Sequence, residues 1–145
     1  MDGPAVPVFF YGGLINPRVQ ARTGLVPKRP RLAVLCEFAL TFEPWVNLRP
    51  AKGSMVHGLV MDVTHAMLDQ CYAKLAARYF PWPVSCDLGE LRLEPALCYM
   101  APSMQPGPID PGHVEALAEG AEACGFPDDY VRRIRSFLPS RPAPV

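Results

Sequence analysis

The sequence lacks the features of a membrane-spanning or secreted protein. No stretch approaches the roughly 18 consecutive apolar residues that cross a bilayer, and residues 1–4 carry no basic segment of a secretory signal. The five cysteines are odd in number and show no Cys-x-x-Cys spacing, which argues against a disulfide framework and against a zinc site. We therefore expect a cytoplasmic protein whose thiols are reduced and mostly buried.

An excess of charge of either sign is missing as well. Lys and Arg together number 14 and are balanced by 14 Asp and Glu. Nucleic acids and anionic membranes recognise basic surfaces, so the sequence predicts neither as a partner. The three histidines are scattered, without the spacing of metal ligands, and we predict no metal and no other cofactor.

Apolar residues and proline are what the sequence holds in quantity. Half of the 145 residues are hydrophobic and 19% are charged, which suits a folded chain with a core. This length predicts one domain, which we place at residues 1–138, followed by a Pro-rich tail at 139–145. The 18 prolines and 11 glycines favour short strands and turns over an all-helical fold.

Apolar alternation and helical spacing predict an α+β fold. The predicted strands cover residues 6–11, 31–42, 55–63, 79–86 and 91–100, and the predicted helices cover residues 65–77, 113–124 and 128–138. Pro81 and Pro83 assign the fourth strand to an edge, and Gly58 in the third predicts a bulge or a close backbone approach. Residues 47–54 and 102–111 are predicted as loops. The result is a largely antiparallel sheet or small barrel with one inserted and two terminal helices.

Several short motifs follow one another in a characteristic order. They are Phe10-Tyr11-Gly12-Gly13-Leu14, Asn47-Leu48-Arg49-Pro50, Met55-Val56-His57-Gly58, Leu68-Asp69, Tyr79, and Gly125-Phe126-Pro127-Asp128-Asp129-Tyr130. Each motif is weak alone, but their order resembles the gamma-glutamylcyclotransferase-like family, which includes gamma-glutamylamine cyclotransferases and AIG2-like proteins. The resemblance covers about residues 8–138. The resemblance implies a small mixed β-barrel flanked by helices.

The family releases 5-oxoproline from gamma-glutamyl amines or amides, so the resemblance implies a pocket for a small carboxylate-bearing ligand. Its implied binding residues are the opening loop, with Tyr11, Gly12, Gly13 and Leu14, and Asn47 from a loop that lines the pocket. Glycine backbone at such a turn lets N–H groups approach a carboxylate closely. Gly13 stands where the family usually has serine. Tyr79 matches a pocket tyrosine of the family, and packing beside Trp82 is its purely structural alternative.

The family's catalytic glutamate has no counterpart at the matching position. It lies four residues after the leucine of a Leu-Asp-x-x-Glu motif, and here Leu68-Asp69-Gln70-Cys71 is followed by Tyr72. A phenol, with an ordinary pKa of about 10, is a poor base near neutral pH. Tyr72 is therefore a candidate either for catalysis or for lining the pocket.

Glu43 is the candidate for a relocated base, because it sits where the second strand gives way to the loop that lines the family's pocket. Two hypotheses remain open. The protein is either an enzyme of altered amide-cleaving or cyclotransferase chemistry that uses Glu43, or a non-catalytic binding or scaffolding member that keeps the pocket. Ordinary cyclotransferase activity on a simple dipeptide is not expected, and the sequence does not predict an oligomeric state.

Overall fold

The computed structural model describes residues 3–72 and 78–138. Five strands are present in this part of the chain: β1 (Ala5–Phe10), β2 (Arg31–Phe42), β3 (Val46–Thr64), β4 (Phe80–Asp87) and β5 (Leu93–Met100). Four helices accompany them: α1 (Pro17–Thr23), α2 (His65–Tyr72), α3 (Pro111–Cys124) and α4 (Asp128–Arg135). A single 3-10 turn, Gly13–Ile15, lies between β1 and α1.

The strands close into a barrel in the order β1-β3-β2-β4-β5. Every neighbouring pair is antiparallel except β1 and β5, which run parallel with Val8 opposite Leu97 and Phe9 opposite Cys98. Closure between β2 and β4 depends on one register pair, Val34 with Asp87. The predicted α+β fold, a largely antiparallel barrel flanked by helices, is confirmed.

Strand β3 is longer than the sequence predicted. Residues 47–54, predicted as a turn, belong to this 19-residue strand, and residues 47–50 pair with β2. The register shifts between Cys36 and Phe38, and the intervening Glu37 has a φ of 70° and accepts a hydrogen bond from the Gly53 N–H. At this irregularity residues 51–54 of β3 lie opposite the single Glu37 of β2. Pro50 and Gly53 therefore accompany an irregular ladder rather than a chain reversal.

Proline in β4 occupies the kind of position that the sequence predicted. Pro81 and Pro83 lie in register with Tyr99 and Leu97 of β5. Because proline has no N–H to give to a ladder, it is confined to edges and strand starts. The side of β4 that faces β2 is paired at one position, Asp87, and so behaves as an edge over most of its length.

Helix α1 was not predicted, because Asn16-Pro17, between the first two predicted strands, is also typical of a loop. The Asn16 side chain instead accepts a hydrogen bond from the Arg18 N–H, Pro17 is the first helical residue, and Gly24 ends the helix with a φ of 77°. These are N-cap, first-turn and C-terminal preferences of short helices. The predicted inserted helix, α2, and the two predicted terminal helices, α3 and α4, are confirmed.

The starts of helices α2 and α3 lie at or near the predicted residues. The Thr64 hydroxyl accepts from the Met67 N–H at 3.2 Å, as expected of the residue that caps α2. The predicted end of that helix, residues 73–77, lies outside the described residues, as does the predicted tail at 139–145. Helix α3 begins two residues before the prediction, and Gly125 ends it in the left-handed region.

The five cysteines are free thiols. Cys71, Cys86 and Cys98 are buried, Cys124 is half-buried and Cys36 is exposed, so most of the thiols are buried, as expected. Across residues 3–72 and 78–138, no helix is long and apolar enough to cross a membrane.

Candidate functional site

The turn that follows β1 presents backbone N–H groups at the end of a buried strand. Gly12 is extended, and the 3-10 turn begins after it, with bonds from the Ile15 N–H to the Gly12 oxygen at 3.1 Å and from the Asn16 N–H to the Gly13 oxygen at 3.0 Å. Ile15 is the first residue whose N–H donates within the turn. The N–H groups of Gly13 and Leu14 come before it in the chain and so have no acceptor inside the turn. The turn therefore leaves these two backbone donors without a partner of its own.

Helix α3 holds this turn in place. The Asn16 amide donates to the Ala116 carbonyl at 2.8 Å, and a Cβ atom at Gly120 would lie 2.9 Å from Ile15 Cγ1. Such close packing requires glycine in the helix. The buried Asn16 side chain also caps α1, so one residue ties the turn to two helices.

Four tyrosines collect beside the turn. Tyr72 stacks on Tyr99 with ring centroids 4.3 Å apart and an interplanar angle of 12°, and its ring lies 5.9 Å from that of Tyr79. The Tyr11 hydroxyl donates to the Tyr99 carbonyl oxygen at 2.6 Å. The structure thus brings Tyr72 and Tyr79 together with Tyr11 of the opening loop, as the resemblance implies.

Val46 links this cluster to the turn. The Tyr79 hydroxyl donates to the Val46 carbonyl oxygen at 2.5 Å, and a Cβ atom at Gly12 would lie 2.9 Å from Val46 Cγ1. Gly12 is therefore needed for close approach, whereas a Cβ atom at Gly13 would have no neighbour within 4 Å. The Gly13 position has room for the serine that is usual in the family.

The tyrosines are protonated at neutral pH. Burial, and then the neighbouring thiol of Cys98, raises the pKa of Tyr72 well above its ordinary value. Burial likewise raises the pKa of Tyr79 to about 12. The pKa of Tyr11 is raised first by burial and then by Cys98. A base must be deprotonated at the working pH, so these phenols serve as walls and hydrogen-bond donors rather than as proton acceptors.

Glu43 lies away from this cluster and lines a cavity together with Arg49. Its carboxylate accepts from Arg49 Nε at 3.1 Å and from Arg49 Nη2 at 2.5 Å. These hydrogen bonds are the main reason that the pKa of Glu43 is below its usual range. Side chains alternate between the two faces of a strand, so Arg49 and the Val46 that touches Gly12 point to opposite faces of β3. The structure therefore does not bring Glu43 to the turn.

Asn47, predicted to bind substrate, has a structural partner. Its side chain is fully buried, the amide nitrogen donates to the Ala101 carbonyl at 2.7 Å, and the amide oxygen accepts from the Ala101 N–H at 3.0 Å. These bonds fasten β3 to the segment after β5. This arrangement corrects the picture of Asn47 on a pocket loop, because the residue belongs to a strand and its polar atoms are engaged.

Tyr99 and Val46 are the site residues that sequence reasoning missed. Tyr99 was included in a predicted strand, but its position beside Tyr11 depends on the parallel pairing of β5 with β1. The register of two strands that are distant in the chain cannot be read from local alternation. The sequence offered one signal for Tyr99, its place near the end of the apolar strand β5.

Two of the motifs that carry the resemblance meet on the other side of the barrel. The His57 ring lies 5.5 Å from that of Phe126 and 4.7 Å from that of Tyr130. Gly58 next to it allows close contact with β1, since a Cβ atom there would lie 2.4 Å from the Phe10 carbonyl oxygen. These motifs therefore serve packing. Within the described ranges, no group of three or more His, Cys, Asp or Glu could hold a metal ion.

Comparison with solved structures identifies the architecture. A structure titled gamma-glutamyl cyclotransferase superposes with a TM-score of 0.79 and 17% sequence identity, over 97% of this chain and 92% of the other. The chain has the gamma-glutamylcyclotransferase-like fold. The predicted resemblance is thereby confirmed at the level of the fold.

Two further structures share the cyclotransferase-like fold. The human uncharacterized protein loc79017 matches with a TM-score of 0.75 and 18% identity, over 99% of this chain and 94% of that one. An AIG2-like protein from Mus musculus matches with a TM-score of 0.55 and 18% identity, over 72% of this chain and 82% of that one. No family model matches the sequence, and no curated protein does.

Proposed function

We propose that the protein is a non-catalytic binding member of the cyclotransferase-like fold. It holds a small, amino-acid-derived ligand by its carboxylate at the turn that begins at Gly13, beside the tyrosine cluster, and does not convert it. The proposal keeps the expectations of a cytoplasmic location and a small-molecule partner, with no role for nucleic acid, membrane, metal or other cofactor. Tyr72, stacked on Tyr99 at 4.3 Å where the family has its glutamate, is the observation that carries it.

The chemistry of the family explains why this substitution matters. A gamma-glutamyl ammonium group must lose a proton before its nitrogen attacks the gamma-carbonyl, and the leaving amine must gain one. Tyr72 supports no such transfer, because burial raises its pKa and keeps the phenol protonated. Glu43 is the other candidate, and its carboxylate is bound by Arg49. Neither side chain provides a free base beside the turn.

Retention of the turn supports ligand binding. The N–H groups of Gly13 and Leu14 are not used by the hydrogen bonds of the turn, and helix α3 packs against the turn through Asn16 and Gly120. Preorganised N–H donors bind a carboxylate without the cost of ordering a loop. The tyrosines would then contact the remainder of the ligand.

Mass spectrometry and thermal unfolding together test the proposal. The purified protein is incubated with gamma-glutamyl amines, gamma-glutamyl dipeptides and related acyl amides, and 5-oxoproline and free amine are measured. We expect no product, together with a raised melting temperature for some members of the panel. Product that disappears in Glu43→Gln would overturn the proposal and assign the base to Glu43. A panel without any thermal shift would overturn ligand binding.

Two variants at Gly13 test the turn itself. Gly13→Pro removes one N–H at the first position of the turn, where proline is tolerated, and we expect it to abolish the ligand-induced shift. Gly13→Ala keeps the N–H and adds a Cβ atom with no neighbour within 4 Å, so the shift should remain. Tyr72→Glu, checked for folding by its melting curve, returns the carboxylate to the family position and tests whether that residue alone accounts for the missing turnover.

A further inference from the structure

A cavity of about 480 Å³ lies between the end of the β2–β3 hairpin and the segment after β5. Its size falls in the range of small-molecule sites, roughly 300–1,000 Å³. Most of its wall is apolar, and its residues are Phe42, Pro44, Pro102, Met104, Pro106 and Ile109, with Glu43 and Arg49 as the charged members and Ser103 and Gly107 completing the lining. It is separate from the turn at Gly13, and the proposed function does not use it.

The two charged groups form a donor and an acceptor side by side on this wall. Glu43 and Arg49 are paired, yet 34% and 42% of their side-chain surfaces remain exposed. Arg49 Nη1 contacts the Pro102 carbonyl oxygen at 3.4 Å, which is long for a hydrogen bond and leaves that N–H group open to a better acceptor. A guanidinium has five N–H donors and a carboxylate about four acceptor positions, so the pair retains capacity on both sides.

The pair of Arg49 and Glu43 has no net charge, and this favours a neutral ligand. A free anion would gain from Arg49 but face Glu43, and a free cation would gain from Glu43 but face Arg49. A neutral amide offers a carbonyl acceptor and an N–H donor side by side, which complement the donor of Arg49 and the acceptor of Glu43. The surrounding proline, methionine and aromatic side chains suit an apolar body.

The wall that carries the pair is held in place. Phe42 is buried and packs on Phe137 with ring centroids 5.2 Å apart. The hairpin is closed by a bond from the Glu43 N–H to the Trp45 carbonyl at 3.0 Å, and the Trp45 ring packs on His113 of α3 at 5.0 Å. We propose that this cavity binds an apolar molecule bearing a neutral amide, whose carbonyl accepts from Arg49 and whose N–H donates to Glu43.

Three probes of similar size and different charge test the proposal: benzamide, benzoate and benzylamine. The methyl signal of Met104, observed by NMR in protein with ¹³C-labelled methionine methyl groups, reports binding inside the cavity. We expect benzamide to shift this signal with a Kd at least tenfold lower than that of either charged probe. Equal affinities for the three probes, or shifts confined to other signals, would refute the assignment.

Variants of the pair should reorder the probes in opposite directions. Glu43→Gln leaves the guanidinium without a counter-charge, so benzoate should overtake benzamide. Arg49→Met leaves the carboxylate alone, so benzylamine should do so. An unchanged order in both folded variants, verified by melting curves, would contradict the proposal. Arg18→Met, which removes an ion pair with Glu119 elsewhere, and Gly13→Pro should leave benzamide binding unchanged, which separates this site from the proposed function.

Discussion

Gly58 offers a direct test of how the barrel is packed. A Cβ atom at this position would lie 2.4 Å from the Phe10 carbonyl oxygen and 2.6 Å from Cζ of the Phe9 ring. Both neighbours are fixed, because Phe9 and Phe10 are core residues that are at most 2% exposed. Gly58→Ala must therefore separate β1 from β3 or displace a core ring.

The expected loss follows from these contacts. Overpacking a core costs about 1–3 kcal/mol, and a clash with backbone places this substitution at the upper end, about 3 kcal/mol. For a chain of 145 residues, an unfolding entropy of about 2.1 cal/mol/K per residue converts this loss into a drop of about 10 °C in melting temperature. Gly58 has no left-handed φ, so the contact alone causes the effect.

Thermal and urea unfolding of Gly58→Ala measure the loss, with Gly13→Ala as the matched control. The control adds the same methyl group where nothing lies within 4 Å, and it should change stability by less than about 1 kcal/mol, in the stabilising direction. If Gly58→Ala melts within about 2 °C of the wild type, where about 10 °C is expected, then β1 and β3 are not packed as described.

Two further predictions concern charged and titratable groups. Arg31, whose side chain is 16% exposed, bonds both Glu94 and Asp62. Arg31→Met should cost about 2 kcal/mol in denaturant unfolding, because it removes the partner of Glu94 and leaves Asp62 paired with Arg29 alone. Arg29→Met, at a side chain 74% exposed, should cost less than about 0.5 kcal/mol, and equal losses in the two variants would contradict this. Burial lowers the pKa of His57 below its ordinary 6.5, and Asp129 opposes this shift. As the pH falls, His57 is therefore protonated in the unfolded chain at a higher pH than in the folded one. The free energy of unfolding should consequently fall as the pH drops below about 6.5. His57→Gln should flatten that part of the stability profile measured by urea titration between pH 7.5 and pH 5, and an unchanged slope would exclude His57 as its source.

Periodicity predicted the strands because apolar alternation is local. Strand β2 has the predicted limits, residues 31–42, and β5 starts two residues later than predicted. The predictions failed at residue types that are common both in turns and inside helices or strands. Asn16 and Pro17 start a helix, and Pro50 and Gly53 lie within a bulged strand. Turn formers are also cap and bulge residues, and the tertiary partner decides between these uses.

The candidate site was less predictable because its geometry depends on strand pairing. Gly12, Tyr72 and Tyr79 were brought near one another as the resemblance implied, yet the Tyr99 that joins them comes from the parallel pairing of β1 and β5. The partner of Glu43 was equally hidden. Arg49 faces it across the end of the hairpin because residues 47–50 pair with β2 as part of β3, within a stretch that the sequence predicted as a turn.

The β3 segment from Val46 to Arg49 connects the two candidate sites. Val46 touches Gly12 and accepts the Tyr79 hydroxyl, Asn47 binds the backbone of Ala101, and Arg49 holds Glu43. Because successive side chains point to opposite faces of a strand, Val46 contributes to the proposed turn site and Arg49 to the cavity beside Glu43. The buried amide of Asn47 fastens the backbone between them to the segment after β5, so the two proposed sites lie on opposite faces of one short, anchored segment of β3.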